Sequence, residues 1–106
     1  MIFKLYKTRV TSGKRPEDKV LEREYKEFQE IYRKYGVKVI GAWDNMDDPL
    51  EGYLITAYRD NVHYEETVAK MRVDPKYMEM SKERQKNFET VKAVTMKLHP
   101  GSPELN

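Results

Sequence analysis

Cysteine is absent from this 106-residue chain, which removes disulfides, thiolate metal centres and cysteine nucleophiles at once. Histidine occurs only at His63 and His99, and tryptophan only at Trp43. Serine is confined to Ser12, Ser81 and Ser102, which fall in a turn, a charged helix and a tail, so nucleophile triads fail for want of candidates. Neither a Gly-x-Gly-x-x-Gly fingerprint nor a P-loop occurs. Nowhere do apolar residues run far enough to span a bilayer. The opening Met-Ile-Phe-Lys-Leu-Tyr-Lys is too short and too charged for a signal peptide, so a cytoplasmic protein is the default expectation. Nor does one sign of charge prevail. Twenty basic and 18 acidic residues, mixed along the chain, leave a net +2, which gives little draw toward nucleic acid or an anionic membrane.

What is present fits one domain of common size, residues 1–99, with a mobile, extended tail at 100–106. Residues 2 to 10 alternate, with Ile2, Tyr6, Thr8 and Val10 on one side and Phe3 and Leu5 on the other, which reads as a strand. Thr11-Ser12-Gly13 breaks it, and Pro16 suits the first turn of a helix. Leu21, Tyr25, Phe28, Tyr32 and Tyr35 then recur at helical spacing, and Gly36 is placed to end the helix in a left-handed conformation. Val37 to Trp43 predicts a second strand, with Val37, Val39, Gly41 and Trp43 sharing a face. A polar turn from Asp44 to Pro49 leads to a third strand, Gly52 to Arg59. Asp60 or Asn61 can cap a second helix with Tyr64, Val68 and Met71 on one face. Asp74-Pro75 breaks that helix, a further piece runs to about Phe88, and Val91 to Leu98 closes the order as a fourth strand. Strand, helix, two strands, helix, strand is the ferredoxin-like βαββαβ order of the α+β class: a four-stranded antiparallel sheet with the first and third strands in its centre.

Several marks along this order resemble the NIPSNAP family. Tyr35-Gly36-Val37-Lys38-Val39-Ile40-Gly41-Ala42-Trp43 is similar to the family's helix-ending glycine, short strand and Gly-x-Trp element. Pro49-Leu50, Ala57-Tyr58, Asp74-Pro75-Lys76-Tyr77 and Leu98-His99-Pro100 fall where the family has similar residues, so the resemblance covers nearly the whole chain. The first strand departs from it, with Tyr6 and Thr8 where relatives commonly carry an arginine and then a tyrosine. The resemblance implies a homodimer, two sheets pairing into a dimeric α/β barrel. It implies little chemistry, because the family's biochemical role is poorly defined. Cofactor-independent monooxygenases, haem-degrading enzymes and isomerases occur in the wider superfamily, a kinship of fold alone.

The chemistry-bearing residues each have a plainer reading. Trp43 could stack on a flat ligand, or pack in the core or an interface, as tryptophan with one dry and one wet side often does. His63, with Glu66 one turn later, offers two metal ligands but not a site, and surface positions are the plainer expectation for His63 and His99. Asp44, Asp47 and Asp48 lack the glycine and glutamate of a calcium loop and read as a solvated hairpin. Eight tyrosines are unusual for this length; they suit an interface, or a pocket that orients a phenol or quinone. The third strand, Gly52-Tyr53-Leu54-Ile55-Thr56-Ala57-Tyr58, lacks the pattern by which RNA-recognition motifs of the same order bind RNA.

Three functions stay open: a homodimer binding a small flat apolar molecule, a cofactor-independent monooxygenase or isomerase, and a protein-interaction module. No cofactor or metal is expected. If a pocket exists, Tyr6 and Tyr58 from the central strands and Trp43 and His99 from the ends of the outer ones are expected to line it together. That expectation requires Tyr6 and Trp43 to share a face of the sheet.

Overall fold

The computed structural model describes residues 1–103. Among the described residues the order is β1 (Ile2–Val10), α1 (Asp18–Lys34), β2 (Lys38–Asp44), β3 (Glu51–Tyr58), α2 (Asn61–Arg72), α3 (Pro75–Arg84) and β4 (Phe88–Met96). The strands form one antiparallel four-stranded sheet ordered β2-β3-β1-β4, so the first and third are central, as the βαββαβ order requires. Of the expected extended tail, residues 104–106 lie outside the described residues. Its start bends instead, the Ser102 amide donating to the His99 carbonyl at 3.0 Å.

The helix boundaries follow from local chemistry. Pro16 lies just ahead of α1 rather than in its first turn: Glu17, with extended backbone, is the residue before the helix. At the far end Gly36 takes φ +72°, where a side chain would be strained. Its amide and that of Val37 return to the Arg33 and Tyr32 carbonyls, satisfying acceptors that the helix end would leave orphaned. Asp60 caps α2 by accepting from the His63 amide at 2.8 Å. Asp74 caps α3, with Pro75 at the first helical position and the Lys76 and Tyr77 amides on its Oδ1. That helix stops at Arg84, earlier than expected. The Asn87 amide closes a turn on the Arg84 carbonyl, and Phe88 already pairs with Val10 in the sheet.

All three helices join the core on one face. Ile31 and Tyr32 of α1, Met71 of α2 and Met80 of α3 meet Val37 and Tyr58, with Ile2, Val39 and Leu54 packed against them. Burying each such aliphatic side chain contributes about 1.5–3 kcal/mol. The buried side of α2 is His63, Thr67 and Met71, whereas Tyr64 and Val68 are partly exposed, so the helix is turned one residue from the expected stripe. The two polar residues enter the core with their bonds made. The Thr67 hydroxyl donates to the His63 carbonyl at 2.8 Å, and both ring nitrogens of His63 meet the backbone.

Two β-bulges decide which side chains share a face. In β2, Val39 pairs with Thr56 but Gly41 pairs with Ile55, so Ile40 is an extra residue and the alternation reverses after it. In the outer pairing, Lys7 meets Lys92 while Thr8 meets Thr90, with Val91 the extra residue. The face away from the helices consequently carries Phe3, Leu5, Tyr53, Ile55, Val94 and Met96, together with Trp43. Trp43 is 49% exposed there.

Candidate functional site

Between α1, α3 and the sheet lies an open cleft of about 1160 Å³. Its floor is the helix-facing side of the sheet. Ala42 and Leu54 pair across β2 and β3, Leu54 pairs with Tyr6, and Gly52 pairs with Thr8. Tyr6 and these neighbours make one wall of the cleft. Leu21, Tyr25, Phe28 and Tyr32, the stripe of α1, make another. Tyr77, Ser81 and Arg84 of α3 close the third side, the Phe28 and Tyr77 rings meeting edge to face with centroids 6.2 Å apart.

Deeper on the same face of the sheet, against α2, is a cluster of phenols. Tyr58, 2% exposed, stacks edge-on against Tyr64 at 5.0 Å and accepts from the Thr56 hydroxyl at 3.2 Å. Burial pushes the Tyr6 hydroxyl well above the ordinary phenol range, and the neighbouring phenols of Tyr58, Tyr32 and Tyr64 push it further. Burial raises Tyr32 and Tyr58 too. These groups therefore stay protonated at neutral pH and act as hydrogen-bond donors as well as acceptors.

Arg84 brings a half-buried charge to the cleft. Its Nη1 donates to Glu24 of α1 at 3.2 Å, and its guanidinium lies 4.2 Å over the Phe88 ring. Burial draws its pKa below the ordinary value, the Glu24 carboxylate opposing that effect. It stays charged nonetheless, since a guanidinium titrates far above neutrality.

The four residues expected to share a pocket are not brought together. Tyr6 lines the cleft, and Tyr58 is packed deeper on the same face, against α2. Trp43 borders the cleft, but its register partners are Tyr53 and, through Tyr53, Lys7, the face opposite Tyr6. Its indole lies across Gly41, where an added Cβ would come within 3.0 Å of the ring. The bulge at Ile40 is the physical reason. His99 follows β4 in an exposed turn, its Nδ1 2.8 Å from the Pro100 carbonyl, and is not part of the cleft wall.

His63, expected at the surface, is 6% exposed. Its Nδ1 accepts from the Arg59 amide at 3.1 Å, so Nε2 carries the proton and donates to the Tyr35 carbonyl at 3.2 Å. With both nitrogens engaged it has no lone pair for a metal. Two of the three hairpin acids are engaged as well: Asp44 with Arg15, and Asp48 with Arg9 and the Leu50 amide. Sequence reasoning did not single out Arg84 or Tyr32 as site residues. The signal was present, because Tyr77, Met80, Ser81 and Arg84 recur at helical spacing and set an arginine on an otherwise apolar stripe.

No family model matches the chain, and no curated protein matches it. Solved structures do. The chain is similar to an uncharacterized NIPSNAP domain protein from Burkholderia xenovorans, at 19% identity and a TM-score of 0.75, over 98% of this chain and all of that one. A NIPSNAP family protein with unknown function from Agrobacterium tumefaciens superposes with a TM-score of 0.81 at 21% identity, covering 97% of this chain and 92% of the other. SnoaB, a cofactor-independent oxygenase from Streptomyces nogalater, aligns over 97% of both chains with a TM-score of 0.73 at 10% identity. The fold is thus that of NIPSNAP-family structures and is shared with oxygenases.

Proposed function

We propose that this chain is a NIPSNAP-like protein that pairs through the open face of its sheet into a dimeric α/β barrel and holds a small, flat, mostly apolar molecule in the cleft between sheet and helices. The observation that carries the reading is the cleft itself, about 1160 Å³ and walled by Tyr6, Tyr25, Phe28, Tyr32 and Tyr77. Flat aromatic walls match flat ligands, and a pocket of this size accommodates a drug-sized molecule. Tyr6 supplies a polar contact from the sheet, and Tyr58 supports it from deeper on the same face.

Pairing is supported by the other face. Leu5, Ile55 and Val94 form an apolar row beside the half-exposed Trp43, and among the described residues no helix lies over them. An apolar sheet face left in water favours association.

Each half of the reading has its own test. Sedimentation equilibrium at micromolar concentration is expected to give twice the 12.7 kDa chain mass, and a clean 12.7 kDa species rejects the pairing. A neutral bicyclic probe, 2-naphthamide, is expected to bind and to shift the amide resonances of Ala42, Leu54 and Tyr25. Ala42→Trp, which fills the cleft from its sheet wall, abolishes that binding in a folded protein. Undiminished binding by this variant refutes the cleft as the site.

A further inference from the structure

We infer that Tyr32 and Arg84 form an oxyanion subsite in the cleft, so that the flat ligand proposed above is acidic: a planar aromatic carboxylate. The inference rests on the cleft reading and sharpens it from a shape to a chemical class. Two polar groups carry it, one from each helix that walls the cleft.

Tyr32 reaches the cleft from α1 while only 8% exposed. Among the described residues no protein group hydrogen-bonds its hydroxyl, yet no buried polar atom is left without a partner, so this oxygen opens onto the cleft. The hydroxyl has no protein partner to give up, so a ligand entering the cleft can engage it directly. Burial keeps it protonated, hence able to donate.

Arg84 approaches from α3. Its Nη1 is taken by Glu24, and its flat face lies over Phe88, with Phe28 farther off at 5.9 Å. Among the described residues its remaining N–H groups have no protein acceptor, although the residue lines the cleft. A guanidinium offers its donors in a plane that matches a carboxylate, and stacking on aromatic rings holds that plane fixed. Tyr32 and Arg84 both line the cleft, and Arg84 lies beside Phe28, which is one helical turn before Tyr32 on α1.

The acids around the cleft do not cancel this arrangement. Asp18 and Asp44 are engaged by Arg15, Glu51 by Lys7 and Arg9, and Glu22 by Lys26, while Glu89, also in the lining, is the cross-strand partner of Arg9. Glu24 balances part of the Arg84 charge from one edge only. An incoming carboxylate would take the free edge of the guanidinium and the Tyr32 hydroxyl, its ring system lying between Tyr25, Phe28 and Tyr77.

The test compares two probes of the same shape, 2-naphthoate and 2-naphthamide, by calorimetric titration of the full chain near neutral pH. Charge-assisted hydrogen bonds are about twice as strong as neutral ones, so naphthoate is expected to bind about tenfold tighter. Arg84→Met, which keeps the packing against Phe88, erases the preference of naphthoate over naphthamide, and Tyr32→Phe reduces it. Glu24→Gln, which removes the competing carboxylate charge from beside Arg84, strengthens naphthoate binding and leaves naphthamide unchanged. Should Arg84→Met not fold, Glu24→Gln decides alone. Equal binding of both probes by the native chain, or a preference that survives Arg84→Met or ignores Glu24→Gln, overturns the subsite and leaves the cleft reading standing. Binding of neither probe overturns both.

Discussion

His63→Ala is expected to remove a bridge that joins three elements. The imidazole accepts from the Arg59 amide at the end of β3, opens α2, and donates to the Tyr35 carbonyl at the end of α1. Each hydrogen bond contributes about 1 kcal/mol net, and a buried group left without a partner costs about 1–3 kcal/mol. The void left by the ring adds to this, while partial access of water to the Arg59 amide subtracts. A loss of about 2–4 kcal/mol results, a large share of the roughly 5–15 kcal/mol that holds a domain together. In a chain of this size that lowers the thermal midpoint by about 10–20 °C. Urea unfolding followed by circular dichroism, with both proteins at one concentration, measures it, and the slope against urea should not change. Two further variants divide the effect. Asn places an acceptor near the position of Nδ1 and Gln a donor near that of Nε2, so His63→Asn keeps the Arg59 bond and His63→Gln the Tyr35 bond. Each should restore part of the loss. If His63→Ala unfolds within about 0.5 kcal/mol of the native chain, as an ordinary surface substitution does, the bridge is not a stabilising element.

Asp74→Asn tests the α1–α3 junction through pH. Hydrogen bonds from the Tyr35 hydroxyl and the Lys34 ammonium hold the Asp74 carboxyl well below its usual range. A depressed folded pKa means that its stabilisation is full at neutral pH, begins to be lost below about pH 4 and vanishes only when the folded group also protonates. The advantage of the native chain over Asp74→Asn in thermal midpoint should shrink as acid is added; an advantage constant from neutrality to pH 2 contradicts the assignment. Phe28→Ala removes a ring that is only partly buried and borders the cleft, so the loss should sit near the lower end of the range for buried phenylalanine, about 3 kcal/mol. A thermal midpoint unchanged within a degree or two means that Phe28 does not pack against Tyr77. Gly36→Ala forces a Cβ into the left-handed region at φ +72° and is expected to cost about 1 kcal/mol in urea unfolding, whereas a stabilised variant refutes that role.

Most of the architecture was legible because it rests on signals that local chemistry enforces. The stripe from Leu21 to Tyr35, the glycine at 36 and the Asp74-Pro75 break each act within a few residues, and each stands where its pattern put it. The facing of Trp43 was not legible. A bulge inserts one residue without a distinctive composition, and Ile40 looks like any β-branched strand residue, so strict alternation grouped Val39 with Trp43. The inward turn of α2 was hidden for a different reason. His63 and Thr67 are polar, and only their bonds to distant or preceding backbone make their burial tolerable. The cleft itself depends on how far apart α1 and α3 stand above Ala42 and Gly52, a distance that no local pattern encodes. Of the four residues grouped from the strand order, the structure places Tyr6 in the cleft wall and does not gather the others around it.

The position of the indole has a spectroscopic consequence. Trp43 is the chain's sole tryptophan, and its ring stands on the face opposite the cleft floor. Excitation at the red edge of protein absorbance therefore addresses one site whose emission follows whatever covers the open face of the sheet. The tyrosines answer at shorter wavelength, several of them from the cleft walls. A dilution series of the ligand-free chain read through this one indole would therefore follow association without a label or a substitution.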